Sequence, residues 1–164
     1  MSRQGVLEDE RGFTLIEVLT TIIIMGIVFA IASSTWFRVI DGRRVDTATN
    51  QLAADLRLAH TTATNRLAPQ VVNLSAGSSE YSMTGFPSRD LDDDASHKVT
   101  VDTTVNIAFC PDGSAEIPPS APVCSGGAVG GPTTIIVGLP TDPTQEPSHT
   151  IEVNTVTSRI KIVP

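Results

Sequence analysis

Cysteine is scarce in this sequence: Cys110 and Cys124 are the whole supply, they form no Cys-x-x-Cys pair, and neither stands beside a histidine. That excludes the usual thiolate frameworks for zinc. A disulfide formed in an oxidising compartment fits the pair, closing a 15-residue loop and adding about 3 kcal/mol on a chain-entropy argument; two reduced thiols are the alternative. The three histidines, His60, His97 and His149, share no spacing. Gly126-Gly127-Ala128-Val129-Gly130-Gly131 is not followed by the Lys-Ser/Thr of a phosphate loop and reads as flexible loop. Asp90, Asp92, Asp93 and Asp94 cluster without the glycine or spacing of an EF-hand, so they read as a solvated acidic loop rather than a calcium site. No catalytic residue, no metal and no cofactor is therefore expected, and the chain is not expected to be an enzyme.

Positive charge is also sparse where most of the fold should lie. Residues 67–164 carry four Lys/Arg against eleven Asp/Glu, within a net charge of −7 for the 164-residue chain. Such a head repels nucleic acid, since only Arg89, Lys98, Arg159 and Lys161 are there to meet phosphates. The stretch from Arg38 to Arg66 differs, with five arginines and three aspartates, and is able to touch the headgroups of membrane lipid.

Two further absences organise the N-terminal half. No charge interrupts Val18 to Phe37, twenty residues, a length that matches a ~30 Å hydrocarbon core at ~1.5 Å per residue. No proline interrupts Phe13 to Pro69, so one helix on the order of 80 Å can run through both the apolar block and the stretch after it. At the edge of the apolar block stands a lone carboxylate, Glu17, which near a bilayer centre costs ~2.5–3.5 kcal/mol and so calls for a partner.

Arg11-Gly12-Phe13-Thr14-Leu15-Ile16-Glu17-Val18, followed by the apolar run, resembles the class III signal of type IV pilins and type II secretion pseudopilins. The resemblance implies cleavage between Gly12 and Phe13 by a prepilin peptidase, N-methylation of Phe13, and an assembly role for Glu17 in pairing with the N-terminal amine of a neighbouring subunit. It further implies other pilin or pseudopilin subunits and an inner-membrane assembly platform as partners. The expected location is the inner membrane, crossed once, with the head outside the cytoplasm. Three competing readings are an export signal peptide ending at Ala30-Ile31-Ala32 before Ser33, a plain uncleaved anchor, and a buried core helix. Glu17 within the block, and the continuation of the block past Ala32 through Trp36-Phe37, argue against the first. Flanking charge does not favour a cytoplasmic N-terminus, since Glu8-Asp9-Glu10 precede the block and Arg38, Arg43 and Arg44 follow it.

Beyond the apolar block, Val45, Ala48, Leu52, Leu56, Ala59, Ala63 and Leu67 recur at steps of three and four, one face of an amphipathic helix whose other face carries Arg43, Asp46, Asn50, Arg57 and Thr61. Strand patterns follow at 70–74, 80–84, 98–102, 105–109, 133–139, 150–154 and 159–163, with hairpin connections expected at 102–104 and 155–158. The segments 87–97 and 111–132 are dense in Pro, Gly, Ser and Asp and read as exposed loops.

The expected fold is α+β and pilin-like: a leader over 1–12, a membrane and filament-core half-helix over 13–37, an amphipathic half-helix over 38–68, and a head over 69–164 in which antiparallel sheet packs on that helix. Within the family the head resembles the H-type minor pseudopilins and FimT-like minor pilins, at the helix segment 47–72, at Ile107-Ala108-Phe109-Cys110-Pro111-Asp112-Gly113-Ser114 and at the closing segment 149–164, though the turn glycine common in that last hairpin is missing here. The expected function is that of a minor pilin-like subunit. Alternatives are a secreted or anchored binding module, and a competence pilin that binds DNA.

Overall fold

The computed structural model describes residues 13–92, 99–119, 123–124, 131–139 and 148–163. One helix, α1 (Leu15–Arg66), precedes nine described strands: β1 (Gln70–Leu74), β2 (Glu80–Met83), β3 (Arg89–Asp90), β4 (Thr100–Val101), β5 (Val105–Phe109), β6 (Ala115–Glu116), β7 (Thr133–Gly138), β8 (Ser148–Val153) and β9 (Ile160–Val163). By compactness the chain divides into a first unit ending at Val39 and a second from Ile40 to Pro164, so the C-terminal part of α1 belongs with the strands.

The strands form two sheets rather than one. The first runs β3-β2-β1-β5-β6 and the second β4-β7-β8-β9, and every pairing is antiparallel. Alternation decides which side chains point inward: in β1, Val72 and Leu74 are buried while Asn73 is exposed, and in β8, Ile151 and Val153 are buried while Glu152 is exposed. From α1 the core takes Val45, Ala48, Leu52, Leu56, Ala59 and Ala63, which with inward residues of both sheets, Ile107, Phe109, Ile135 and Val137 among them, make one apolar cluster.

The expected hairpin at 155–158 forms, with β8 and β9 paired from Thr150↔Val163 to Val153↔Ile160. Asn154 organises its turn by accepting from the backbone N–H groups of Val156 and Thr157. Where a glycine would ordinarily supply the left-handed residue, Ser158 adopts φ 49°, and its hydroxyl donates to the Gly113 carbonyl at 2.7 Å. The expected hairpin at 102–104 does not form. Asp102 N–H still donates to Ile136 O of the second sheet, and the chain then crosses to the first sheet, where β5 pairs with β1.

Two further readings need correction, and one buried residue falls outside the expected pattern. The segments expected as exposed loops contain β3 and β6, and Leu91, Asp92, Ala115 and Glu116 within them are buried; two-residue strands are too short to leave a period of two in the sequence. The helix stops at Arg66, so Leu67 lies outside its apolar face and is 78% exposed. Asp55, unremarked in the amphipathic pattern, is buried on the core side of α1.

Candidate functional site

Of the residues expected to carry function, Phe13 and Glu17 are described, while Gly12 lies outside the described residues. Thr14 starts the helix. Its carbonyl accepts from the N–H groups of Glu17 and Val18, at 3.1 and 3.2 Å, and its hydroxyl accepts from Glu17 N–H at 3.3 Å, so the Thr14 side chain caps Glu17 N–H, a donor with no i−4 carbonyl inside the helix. The Thr-x-x-Glu spacing of a capping box is the sequence signal for this role, and it places Glu17 in the first turn, where the helix dipole favours a negative charge.

From Leu15 to Ser33 α1 is apolar enough and long enough to cross a membrane, and none of that stretch is buried. Phe13, Leu15, Met25 and Phe29 are each at least 74% exposed. The hydroxyls within the stretch do not oppose this, because each turns back onto a helical carbonyl: Thr20 to Glu17 O, Thr21 to Val18 O and Ser33 to Ala30 O. Backbone and hydroxyl groups thus satisfied internally leave an apolar exterior that asks for lipid or other apolar helices.

The second compact unit has candidates of its own. Cys110 and Cys124 are joined, with Cα atoms 5.6 Å apart, and the fully buried Glu116 accepts from Cys124 N–H at 2.9 Å. These three are the one group among the described residues whose ligand atoms cluster as a metal site would. Both sulfurs are covalently taken, so what the group does here is to close the loop after β5 onto β6.

Arg89, counted above as available to phosphates, is engaged instead: its guanidinium donates to both Asp55 oxygens at 2.7 and 2.9 Å. The Tyr81 hydroxyl donates to the same carboxylate. Burial first, and then the hydrogen bond to and charge of Asp55, push the Tyr81 hydroxyl well above its ordinary range. Beside it Gln51 donates to Asp90 O at 3.0 Å, a second tie between α1 and β3. His149 Nε2 lies 2.6 Å from Asp46 Oδ1, joining the start of β8 to α1. Asp90 and Asp92 of the acidic cluster are close through a backbone turn, Asp92 N–H donating to Asp90 Oδ1; Asp93, Asp94 and His97 lie outside the described residues. In the Pro-Asp-Gly turn, hydrogen bonds from Ser114 hold the Asp112 carboxyl below the usual range.

Residues 9–33 match the prokaryotic N-terminal methylation motif. No curated protein matches the chain. Among solved structures, the type IV minor pilin FimU of Pseudomonas aeruginosa strain PAO1 is similar at 12% identity and a TM-score of 0.49, over 73% of this chain and 92% of that one.

Proposed function

We propose that the chain bearing this methylation motif is a minor pilin-like subunit, cut from its leader, 1–12, by a prepilin peptidase and assembled with other pilin or pseudopilin subunits into a type IV pilus or type II secretion pseudopilus. Cleavage falls between Gly12 and Phe13, the new amine of Phe13 is methylated, and Glu17 pairs with the amine of a neighbouring subunit, which leaves a misregistered subunit with an uncompensated charge. Residues 13–37 sit in the membrane and then in the fibre core, 38–68 carry the amphipathic half-helix, and 69–164 complete the head. Before assembly the chain crosses the inner membrane once, with its head outside the cytoplasm, where the Cys110–Cys124 bond suits an oxidising surrounding. Its role is structural, and catalysis belongs to the peptidase and the assembly platform.

The observation that carries this reading is the conjunction of the matched motif with a helix whose first 19 residues are apolar and unburied. N-terminal sequencing and intact mass of the protein from its native membrane fraction test it. The expected result is a chain beginning at methylated Phe13. A start at Ser33 would replace the reading with an exported module, and an intact Met1 with a plain anchored domain.

A further inference from the structure

The second sheet has two edges, β4 and β9, and they differ. At β4 both outward backbone groups of Val101 are taken up by the turn before β2: Val101 O accepts from Gly77 N–H at 2.8 Å, and Val101 N–H donates to Ser78 O at 3.2 Å. At β9 the phase of the pairing follows from Asn154 N–H, which donates to Arg159 O at 3.0 Å. Bonded and non-bonded pairs alternate along an antiparallel ladder. Ile160 and Ile162, in register with Val153 and Ile151, are therefore the non-bonded members and turn their N–H and C=O groups away from β8. Arg57 Nη2 reaches Ile160 O at 3.4 Å, a long contact that fits this direction. Among the described residues nothing meets Ile160 N–H or the outward N–H and C=O of Ile162. Such groups need water or another chain, and Ile162 is partly exposed.

The side chains along this edge say which chain fits. Arg159 and Lys161 are exposed on the outer face of the sheet, where with Glu152 and Asn154 they wall a depression of about 240 Å³. Glu152 stands opposite Lys161 in register, yet among the described residues no carboxylate lies within ion-pair distance of Arg159 or Lys161. A second copy is a poor occupant. The antiparallel register that joins both isoleucines of two β9 strands sets Lys161 opposite Lys161 of the other copy, and like charges directly opposite work against pairing. A strand with carboxylates on its outer face meets the reverse condition.

We propose that β9 is an acceptor edge for an extended acidic segment of a different polypeptide. The segment adds to the four-stranded second sheet, exchanges backbone hydrogen bonds with Ile162 and accepts from Ile160 N–H, and sets alternate carboxylates beside Arg159 and Lys161. Apolar residues between the carboxylates lie beside Ile160 and Ile162. Main-chain bonds supply the affinity, and the two cations select the partner. All these residues belong to the second compact unit, so the proposal holds whichever N-terminus the mature chain carries.

The test uses the full chain, as recovered from its native membranes in mild detergent, and an end-capped peptide of about seven residues that alternates valine with glutamate, roughly one strand in length. Binding is read by fluorescence anisotropy of the labelled peptide and by hydrogen exchange of the β9 backbone. The glutamate peptide should bind and slow exchange of the Ile162 amide at least about ten-fold. Lysine in place of glutamate, or N-methylation of the valines that face Ile160 and Ile162, should weaken binding at least about ten-fold, the scale of one lost interaction of ~1.4 kcal/mol. Ile162→Pro removes the outward N–H and should bind no better than the N-methylated peptide does to the native chain. The double variant R159Q/K161Q, at exposed positions, should lose the preference for glutamate over lysine with thermal unfolding of the head unchanged, and it keeps the test open if the proline variant does not fold. Equal binding of the glutamate and lysine peptides by the native chain, indifference to N-methylation, absence of binding, or protection of Ile162 by self-association of the chain would each overturn the proposal.

Discussion

Desolvating a carboxylate is costly unless its lone pairs are taken up, and Asp55 meets that condition by accepting twice from Arg89 and once from Tyr81. The helix pattern marks Leu52 and Leu56 as core, but nothing local announces that Asp55 between them turns inward, because its partners lie 26 and 34 positions away. The consequence appears at alkaline pH. A tyrosine whose folded pKa is raised contributes stability that is full below the unfolded value of about 10, and loses it as pH climbs through the folded value. Thermal unfolding from pH 8 to 11 should therefore fall more steeply above about pH 10 in the native chain than in Tyr81→Phe. At pH 8 that variant should be less stable by about 1–2 kcal/mol, since it leaves a buried acceptor short of a donor. Parallel curves for the two proteins would remove Tyr81 from this account.

At the scale of the element, α1 ends where two local requirements conflict with its apolar period. Pro69 disfavours helical geometry at the residue before it, so the chain leaves the helix although Leu67 still falls on the core-facing step. Ala68 N–H reaches back to Ala63 O at 3.3 Å and Leu67 takes φ 52°, the left-handed closing residue of a Schellman motif, a position that favours glycine. Since the Leu67 side chain is 78% exposed, Leu67→Gly gives up little packing and relieves the backbone. Urea denaturation should find it more stable by about 0.5–1 kcal/mol, and a loss of stability would mean that the side chain makes a contact worth more than the strain. The longer strands were legible in the sequence, β1 and β5 to the residue, because five positions suffice to display alternation. The two-residue strands β3 and β6 were not, since they exist only through partners that the fold brings to them.

For the whole molecule, the two compact units answer to different surroundings. The second has its own core, whereas in the first the apolar side chains from Phe13 to Ile31 are exposed and stable only in lipid or among like helices. If Glu17 pairs with a neighbour's amine, removing it should leave the head intact and affect assembly alone. Glu17→Ala is accordingly expected to match the native chain in thermal unfolding of the head and in membrane content. Its share of the sheared fibre fraction should fall at least about ten-fold, the scale of one lost charge-assisted pair of ~1.5–3 kcal/mol. Normal incorporation of the variant would remove Glu17 from the assembly mechanism.

What the sequence determined by itself was everything that depends on neighbours along the chain: the uncharged span, its lone acid at a capped helix start, the face of α1 that meets the core, and the alternation of the longer strands. Each follows from a period or a composition that short-range physics imposes. Tertiary structure alone decided the split into two sheets, the crossing at 102–104 where a hairpin was expected, the capture of Arg89 by Asp55 and the joining of β8 to α1 through His149 and Asp46. Those outcomes turn on which distant groups are desolvated together, and a buried charge or an unpaired strand edge finds its partner only after the core has closed around it.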